Sequence, residues 1–146
     1  MPKFGFLTCA ALLSFALYGL PAAHAQATKT LLSVNVDAGK RIAPTSHQVT
    51  VARSQDLAAP GLVVTILPGP EGYPGINIKP EGAVWNLMPY GHVEARVVNV
   101  GAKPLYLSLR VDNTGDWHDN PWNTESAFLP PGKSGTVTTI FGRSYG

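Results

Sequence analysis

The sequence predicts an all-β protein folded as an antiparallel β-sandwich, and two observations support that fold class. Glycine (15 residues) and proline (13 residues) are abundant and separate short apolar runs, which is typical of strands joined by turns. After residue 26, apolar residues do not follow the 3.6-residue period of a helix for more than about two turns. Strands are therefore expected to carry the apolar residues of the core.

Each predicted strand is a run of β-branched, aromatic or alternating apolar residues that ends at a turn-forming linker. Examples of these linkers are LPGPEGYPG, NVGAKP and LPPGKSG. The segment RSQDLAAP is compatible with one short helical turn. In chain order, the predicted strands are Thr30–Val36, His47–Ala52, Gly61–Leu67, Gly75–Lys79, Ala83–Leu87, His92–Asn99, Leu105–Asn113, Thr124–Leu129 and Gly135–Phe141.

A hairpin between His92–Asn99 and Leu105–Asn113 is the most specific part of this prediction. One register places apolar residues opposite each other on one face and opposite charges on the other. Opposite charges across strands stabilise by roughly 0.2–1 kcal/mol per pair, and a one-residue slip would exchange the two faces. The predicted pairs are Val93–Val111, Ala95–Leu109 and Val97–Leu107 on the buried face, and Glu94–Arg110, His92–Asp112 and Arg96–Ser108 on the polar face.

The first 25 residues are expected to be a secretory signal peptide that is not part of the fold. One lysine precedes a short apolar run, and the motif AHA follows it, which is typical of a signal-peptide cleavage site and not of a membrane span. Cleavage after Ala25 would send the protein to the periplasm or out of the cell and remove its only cysteine, Cys9. Residues 26–146 are then expected to form a single β-sandwich domain with no membrane insertion.

Charge and motifs narrow the function classes. The chain has 11 Lys and Arg against 9 Asp and Glu, and they are scattered, whereas a nucleic-acid partner requires clustered basic side chains. No basic amphipathic stretch suggests a membrane surface. The sequence has no GxSxG, HExxH or phosphate-binding glycine loop. Catalysis by this chain alone is therefore not favoured, and no catalytic residue is assigned.

The stretch DNTGDWHDNPWNTE, residues 112–125, combines aromatic and polar side chains more densely than any other part of the chain. Sugar rings stack on tryptophan or tyrosine, and their hydroxyls bond to amide, carboxylate and guanidinium groups. Loops at the end of a rigid sandwich often hold such groups. We therefore predict a polysaccharide or oligosaccharide ligand. The predicted contacts are Trp117, Trp122, Asn123, Arg110, Asp112 and Asn113.

Structural roles are the alternative for several of these residues. Either tryptophan of the loop could instead close the open end of the sandwich, because tryptophan is mostly buried on average. The charged cross-strand pairs could be solvated surface pairs, or they could line a groove with Tyr106 and Arg96 beside them. Trp85 is expected in the core, because Trp85 and Leu87 alternate inward in the segment AVWNL.

No cofactor is assigned. A structural calcium ion is the one metal whose binding the sequence leaves open. Hard oxygen ligands cluster in the loop, as Ca²⁺ requires, but their spacing is not that of an EF-hand. His118 has no second His or Cys at ligand spacing, which argues against zinc. The candidate calcium ligands are Asp116 and Asp119, which no loop signature supports.

An ordered series of motifs in this chain resembles a known type of module. The motifs are VWNLMPYGHVEARVVNVG, then LSLRVDN, then LPPGKSGTVTTIFG, and GLVVTILPGPEGYPGINIKPEG fits the strands before them. Together they are similar to galactose-binding-like jelly-roll modules of the carbohydrate-binding type. Such modules form N-terminal parts of bacterial agarases and related exported glycoside hydrolases.

The resemblance implies a jelly-roll sandwich and an exported, non-catalytic carbohydrate-binding module, accessory to a polysaccharide-degrading enzyme or forming its N-terminal part. Two alternatives stay open: an exported structural or interaction protein with the same fold and no sugar ligand, and a truncated fragment of a glycoside hydrolase. The sequence stops at FGRSYG, directly after a strand. Either the jelly roll lacks its last strand, or the strand Thr30–Val36 supplies the missing neighbour.

Overall fold

The computed structural model describes residues 28–33, 40–56, 60–115 and 118–141. Within these ranges the chain forms eight β-strands and no helix, and the strands pair antiparallel, which confirms the all-β antiparallel prediction. The same ranges contain no helix long and apolar enough to cross a membrane. The strands are β1 (Ile42–Pro44), β2 (Val49–Arg53), β3 (Leu62–Ile66), β4 (Ile76–Ile78), β5 (His92–Val98), β6 (Leu105–Asp112), β7 (Trp122–Leu129) and β8 (Ser134–Ile140).

The predicted strands from His47–Ala52 onward correspond to β2 through β8, with one exception. The segment Ala83–Leu87, which lies between the turns KPEG and MPYG, forms no strand. Strand β1 was not predicted, since it has three residues and includes Pro44, a residue that strands disfavour. Of the predicted strand Thr30–Val36, residues 30–33 are not a strand and the remainder lies outside the described residues.

The predicted hairpin between β5 and β6 is wrong. Strand β5 pairs with β8, and β6 pairs with β7, so Glu94 lies opposite Thr138 and Arg110 lies opposite Thr124. The inward faces are as predicted, because burial alternates along both β5 and β6. Alternation determines which face of a strand is buried, but it does not determine the neighbouring strand. The pairs Glu94–Arg110, His92–Asp112 and Arg96–Ser108 are therefore replaced by pairs with β7 and β8.

The strand pairs are nested in two sets. The β1–β4 pair encloses the β2–β3 pair along the chain, and the β5–β8 pair encloses the β6–β7 pair. In the second set, β8 packs against β7 and β6, so that two two-stranded sheets face each other in a sandwich-like arrangement. Thr139 of β8 is fully buried between them, and its hydroxyl donates to the Leu109 carbonyl of β6 at 2.7 Å.

Asn99 holds together the two linkers that connect these sheets. Its side-chain nitrogen donates to the carbonyls of Lys103 (2.8 Å) and Leu129 (2.9 Å), and its side-chain oxygen accepts from the Gly101 N–H (3.0 Å). The Asn99 backbone donates to the Lys133 carbonyl and accepts from the Gly132 N–H. The residue is 6% exposed, so one buried amide ties the β5–β6 linker to the β7–β8 linker.

Gln48, directly before β2, plays the equivalent part in the first set. Its side chain is 4% exposed, donates to the Leu67 carbonyl at 3.3 Å and accepts from the Glu71 N–H at 2.8 Å. The backbone of Gly69 passes directly over this amide, and a Cβ at that position would overlap it. Glycine is therefore needed there for the close approach.

Candidate functional site

The outward side chains of β6 and β7 form the surface on which the predicted sugar contacts converge. Strands alternate their side chains between faces, and burial alternates along β6 as this requires. The register pairs each outward residue of β6 with one of β7. This surface, called here the β6–β7 face, consists of the pairs Tyr106–Phe128, Ser108–Ser126, Arg110–Thr124 and Asp112–Trp122.

An aromatic pair forms one end of the β6–β7 face. The ring centroids of Tyr106 and Phe128 lie 4.8 Å apart, and the ring planes are tilted by 49°. Such tilted pairs are favourable beyond the area they bury. Tyr106 is nevertheless 81% exposed and Phe128 is 51% exposed, so much of the ring surface faces solvent. Apolar ring surface that the fold itself does not bury is available to a ligand.

The hydroxyls of Ser108 and Ser126 occupy the middle of the face. Their oxygens lie 2.8 Å apart and share a hydrogen bond. A hydroxyl donates one hydrogen and can accept two, so the pair keeps acceptor capacity directed at solvent. This part of the face is small and polar, between the aromatic rings at either end.

A cation, a carboxylate and an indole form the other end of the face. The Arg110 Nε donates to the Asp112 Oδ1 at 2.6 Å, and the Arg110 guanidinium carbon lies 4.6 Å from the centroid of the Trp122 ring. The two charged side chains are 41% and 54% exposed. The carboxylate neutralises the guanidinium, and the guanidinium stacks on the indole, an arrangement that limits the rotamers of Trp122. Three of the predicted sugar contacts, Arg110, Asp112 and Trp122, thus lie together at this end of the face.

Asn113 and Asn123 have other positions. The Asn113 side-chain nitrogen donates to the Pro121 carbonyl at 2.5 Å and so closes the base of the loop between β6 and β7. Asn123 lies opposite Val111, on the inward side of β7 and away from the β6–β7 face. Its Oδ1 is buried and has no hydrogen-bond partner in the described part of the chain.

The loop itself is only partly described. Trp117 and Asp116 lie outside the described residues, so their predicted roles are expectations only. Asp119, the other candidate calcium ligand, is exposed. Across residues 28–33, 40–56, 60–115 and 118–141, no group of three or more His, Cys, Asp and Glu side chains comes together.

Two features were missed from the sequence. Phe128 joins Tyr106 only through the β6–β7 pairing, which the predicted hairpin did not contain. The second feature is a cavity of about 420 Å³ beside Trp85, lined by residues of the segments 29–33 and 81–86 together with Arg41. No sequence pattern connects these segments.

Trp85 is not among the fully buried residues of the core, but Trp85 and Leu87 are less exposed than their neighbours Val84 and Asn86, as the predicted alternation requires. Trp85 is half-buried at the cavity, and the Arg41 guanidinium carbon lies 5.8 Å from its ring centroid. This alternation of burial occurs although the segment around Trp85 has no regular structure. Arg41 also donates to the Lys79 carbonyl at 2.8 Å and to the Leu31 carbonyl at 2.7 Å, which holds the segments around Trp85 together.

Comparison with known proteins gives no assignment. No protein-family model, no curated protein and no solved structure matches the chain. The function must therefore be inferred from the geometry of the site.

Proposed function

We propose that the protein is an exported, non-catalytic carbohydrate-binding module and that the β6–β7 face holds the sugar. The observation that carries the proposal is the sequence of groups along this face: exposed aromatic rings at one end, hydroxyls in the middle, and the indole with its charged pair at the other end. This order alternates ring surface with hydrogen-bonding groups.

The chemistry of a sugar fits this order. The carbon–hydrogen faces of a pyranose ring are apolar and flat, whereas its hydroxyls need donors and acceptors of fixed geometry. Tyr106 and Phe128 offer ring surface, and the carboxylate of Asp112 and the guanidinium of Arg110 offer planar hydrogen-bonding groups. The Ser108–Ser126 pair can exchange its internal hydrogen bond for bonds to sugar hydroxyls.

The length of the face supports an oligosaccharide rather than a single sugar ring. Tyr106 and Asp112 are six residues apart on β6, which is about 20 Å at the rise of an antiparallel strand. Because Asp112 is paired with Trp122, the aromatic groups at the two ends are separated by a similar distance. A ligand that contacts both ends must extend along the strands, as a segment of a polysaccharide does.

The proposal includes the jelly-roll, galactose-binding-like form of the sandwich. This part rests on the resemblance of the sequence motifs, and the nesting of β6–β7 within β5–β8 and of β2–β3 within β1–β4 supports the coarser sandwich-like arrangement. In this role the module is accessory to a polysaccharide-degrading enzyme or forms its N-terminal part, and the predicted signal peptide directs it to the periplasm or the exterior.

The experiment is a titration of the protein with agarose, galactan, xylan and glucan oligosaccharides, followed by tryptophan fluorescence and calorimetry. We expect saturable binding of one sugar class, weakened about tenfold or more by Tyr106→Ala and by Trp122→Ala, because each substitution removes the ring that would stack on the sugar at its end of the face. Tyr73→Ala is the matched control, because Tyr73 is 92% exposed but lies outside the β6–β7 face. It should bind as the wild type does.

Two outcomes would contradict the proposal. One is a folded protein that none of these sugars affects in either measurement. The other is sugar binding that survives both substitutions on the face, which would put the site elsewhere. Circular dichroism of each variant separates a lost contact from a lost fold.

A second candidate is an exported structural or interaction protein with no sugar ligand. The observation that favours it is the apolar surface on one face of β3, where Val64 and Ile66 are 37% and 42% exposed. Single exposed apolar residues are ordinary, but neighbours along one strand suggest a protein contact. A negative sugar titration together with self-association would favour this candidate.

A further inference from the structure

Strand β3 has a free hydrogen-bonding edge. It pairs with β2 on one side, and no strand of the described residues pairs with its other side. Its sequence, LVVTI, is uncharged, contains no proline and is β-branched at every position after Leu62. Natural proteins usually protect an exposed edge with a charge, a proline or a bulge, because an unprotected edge pairs with another strand. The β3 edge, Leu62–Ile66, has none of these, and its register with β2 is continuous.

The hydrogen bonds that flank the β2–β3 ladder identify the backbone groups at this edge. The Leu67 N–H donates to the Gln48 carbonyl at 2.8 Å, and the Ser54 N–H donates to the Gly61 carbonyl at 2.9 Å. Bonded and non-bonded pairs alternate in an antiparallel ladder. The pairs Thr50–Thr65 and Ala52–Val63 are therefore the bonded ones between these ends. The residues that turn their N–H and C=O groups outward are Leu62, Val64 and Ile66.

We propose that the β3 edge pairs antiparallel with the β3 edge of a second copy of this chain, about a twofold axis at Val64. In that register Val64 faces Val64 of the partner subunit, and Leu62 faces Ile66 of the partner subunit. In this register, each residue whose backbone N–H and C=O groups point away from β2 lies opposite another such residue. The two β3 strands can therefore form backbone hydrogen bonds at all of these positions. The two β2–β3 pairs become one four-stranded sheet. This pairing does not depend on the sugar-binding proposal.

Three observations favour a second copy over another partner. The edge is self-complementary in register about its central residue, as an isologous interface requires. It carries no charge, so identical strands do not repel each other. The half-exposed side chains of Val64 and Ile66 lie on the same face, where the partner strand would cover them. The outer edge of β2, in contrast, contains Arg53, a charge of the kind that protects an edge.

The dimer is expected to be weak. An edge of five residues buries less than the roughly 1,600 Å² of a standard interface. Self-association should therefore depend on concentration, and sedimentation equilibrium over a wide concentration range is the suitable measurement.

The decisive test uses charge at the twofold position. Val64→Lys and Val64→Glu should each weaken self-association more than about tenfold, because each places two like charges directly opposite each other. An equimolar mixture of the two variants should associate again, since the opposite charges then meet at the axis. A wild-type protein that stays monomeric at all concentrations overturns the proposal, and so do charged variants that associate as the wild type does.

A pair of proline variants tests the edge without adding charge. The Val64 N–H points away from β2, so Val64→Pro removes an outward donor and leaves the β2–β3 ladder intact. Its matched control is Val51→Pro, at the register partner on β2, whose N–H points to the opposite edge. Self-association should fall about tenfold in the first variant and stay unchanged in the second. If Val64→Pro and Val51→Pro weaken self-association equally while their circular dichroism is unchanged, the proposed pairing through the β3 edge is overturned.

Discussion

Replacing Asn99 tests whether one buried amide joins the two sheets of the second strand set. Its side chain makes three hydrogen bonds, to the Lys103 carbonyl, the Leu129 carbonyl and the Gly101 N–H. The net contribution of a hydrogen bond to stability is about 0.5–1.5 kcal/mol, and a buried group left unpaired costs more. Asn99→Ala should therefore lower the free energy of unfolding by about 2–4 kcal/mol. For a domain of this size that corresponds to a melting temperature about 10 °C lower.

Asn99→Asp sharpens the test, because it retains the shape and the acceptor but removes both N–H donors. The introduced carboxylate would face the carbonyl oxygens of Lys103 and Leu129 at a site that is 6% exposed. Burial of an unpaired charge next to two acceptors is unfavourable. We therefore expect Asn99→Asp to destabilise the protein at neutral pH at least as much as Asn99→Ala.

Urea denaturation followed by circular dichroism measures both changes, with Asn77→Ala as the control. Asn77 is an exposed residue of β4, and its replacement should change the free energy of unfolding by less than about 0.5 kcal/mol. A loss below about 1 kcal/mol for Asn99→Ala would refute the reasoning. A smaller loss of stability for Asn99→Asp than for Asn99→Ala would refute it as well. That result would mean that the two N–H donors of the Asn99 side chain do not stabilise the linkers.

Two further substitutions test close contacts in the fold. Gly69→Ala should lower the free energy of unfolding by about 1–3 kcal/mol, because the new methyl group overlaps the buried Gln48 amide. Gly72→Ala is the control, because a Cβ at that position meets no atom within 4 Å. It should be neutral or slightly stabilising in the same denaturation assay. Thr139→Val should cost less than about 1 kcal/mol, since the Thr124 hydroxyl also donates to the Leu109 carbonyl, at 3.2 Å. The double replacement of Thr139 and Thr124 by valine should cost more than the sum of the single ones, and a strictly additive double-mutant cycle would contradict that.

The sequence could predict which face of each strand is inward, and the reason is local. A period of two places alternate residues on one side whatever the neighbouring strand is, so Val93, Ala95 and Val97 are inward-facing as predicted. The neighbour of β5 could not be predicted in the same way. Strands β6 and β8 both place alternate residues inward with the same period of two, and the choice between them depends on the path of the linker and on contacts distant in sequence.

The proximity of Arg110, Asp112 and Trp122 arises from a strand pairing other than the predicted one. Arg110 and Asp112 were expected to bond to β5, but they bond to each other and to the β7 residue Trp122. These residues lie together because β6 and the start of β7 flank the same loop. The Tyr106–Phe128 pair could not be found, since it exists only through the true partner of β6. The alternation predicted around Trp85 is present in the burial of Trp85 and Leu87, although no strand forms there.

The two proposals place their functions on different strands, and this has a consequence for binding a polymer. Self-pairing uses the β3 edge, whereas the sugar contacts lie on β6 and β7, so neither function uses the residues of the other. A dimer would then present two β6–β7 faces. A polysaccharide repeats its units along one chain, and a second face that reaches the same chain binds at a raised effective concentration. Weak pairing of two β3 edges can therefore strengthen binding to a polymer greatly and binding to a short oligosaccharide very little. Only the polymer can contact both β6–β7 faces of the dimer at once.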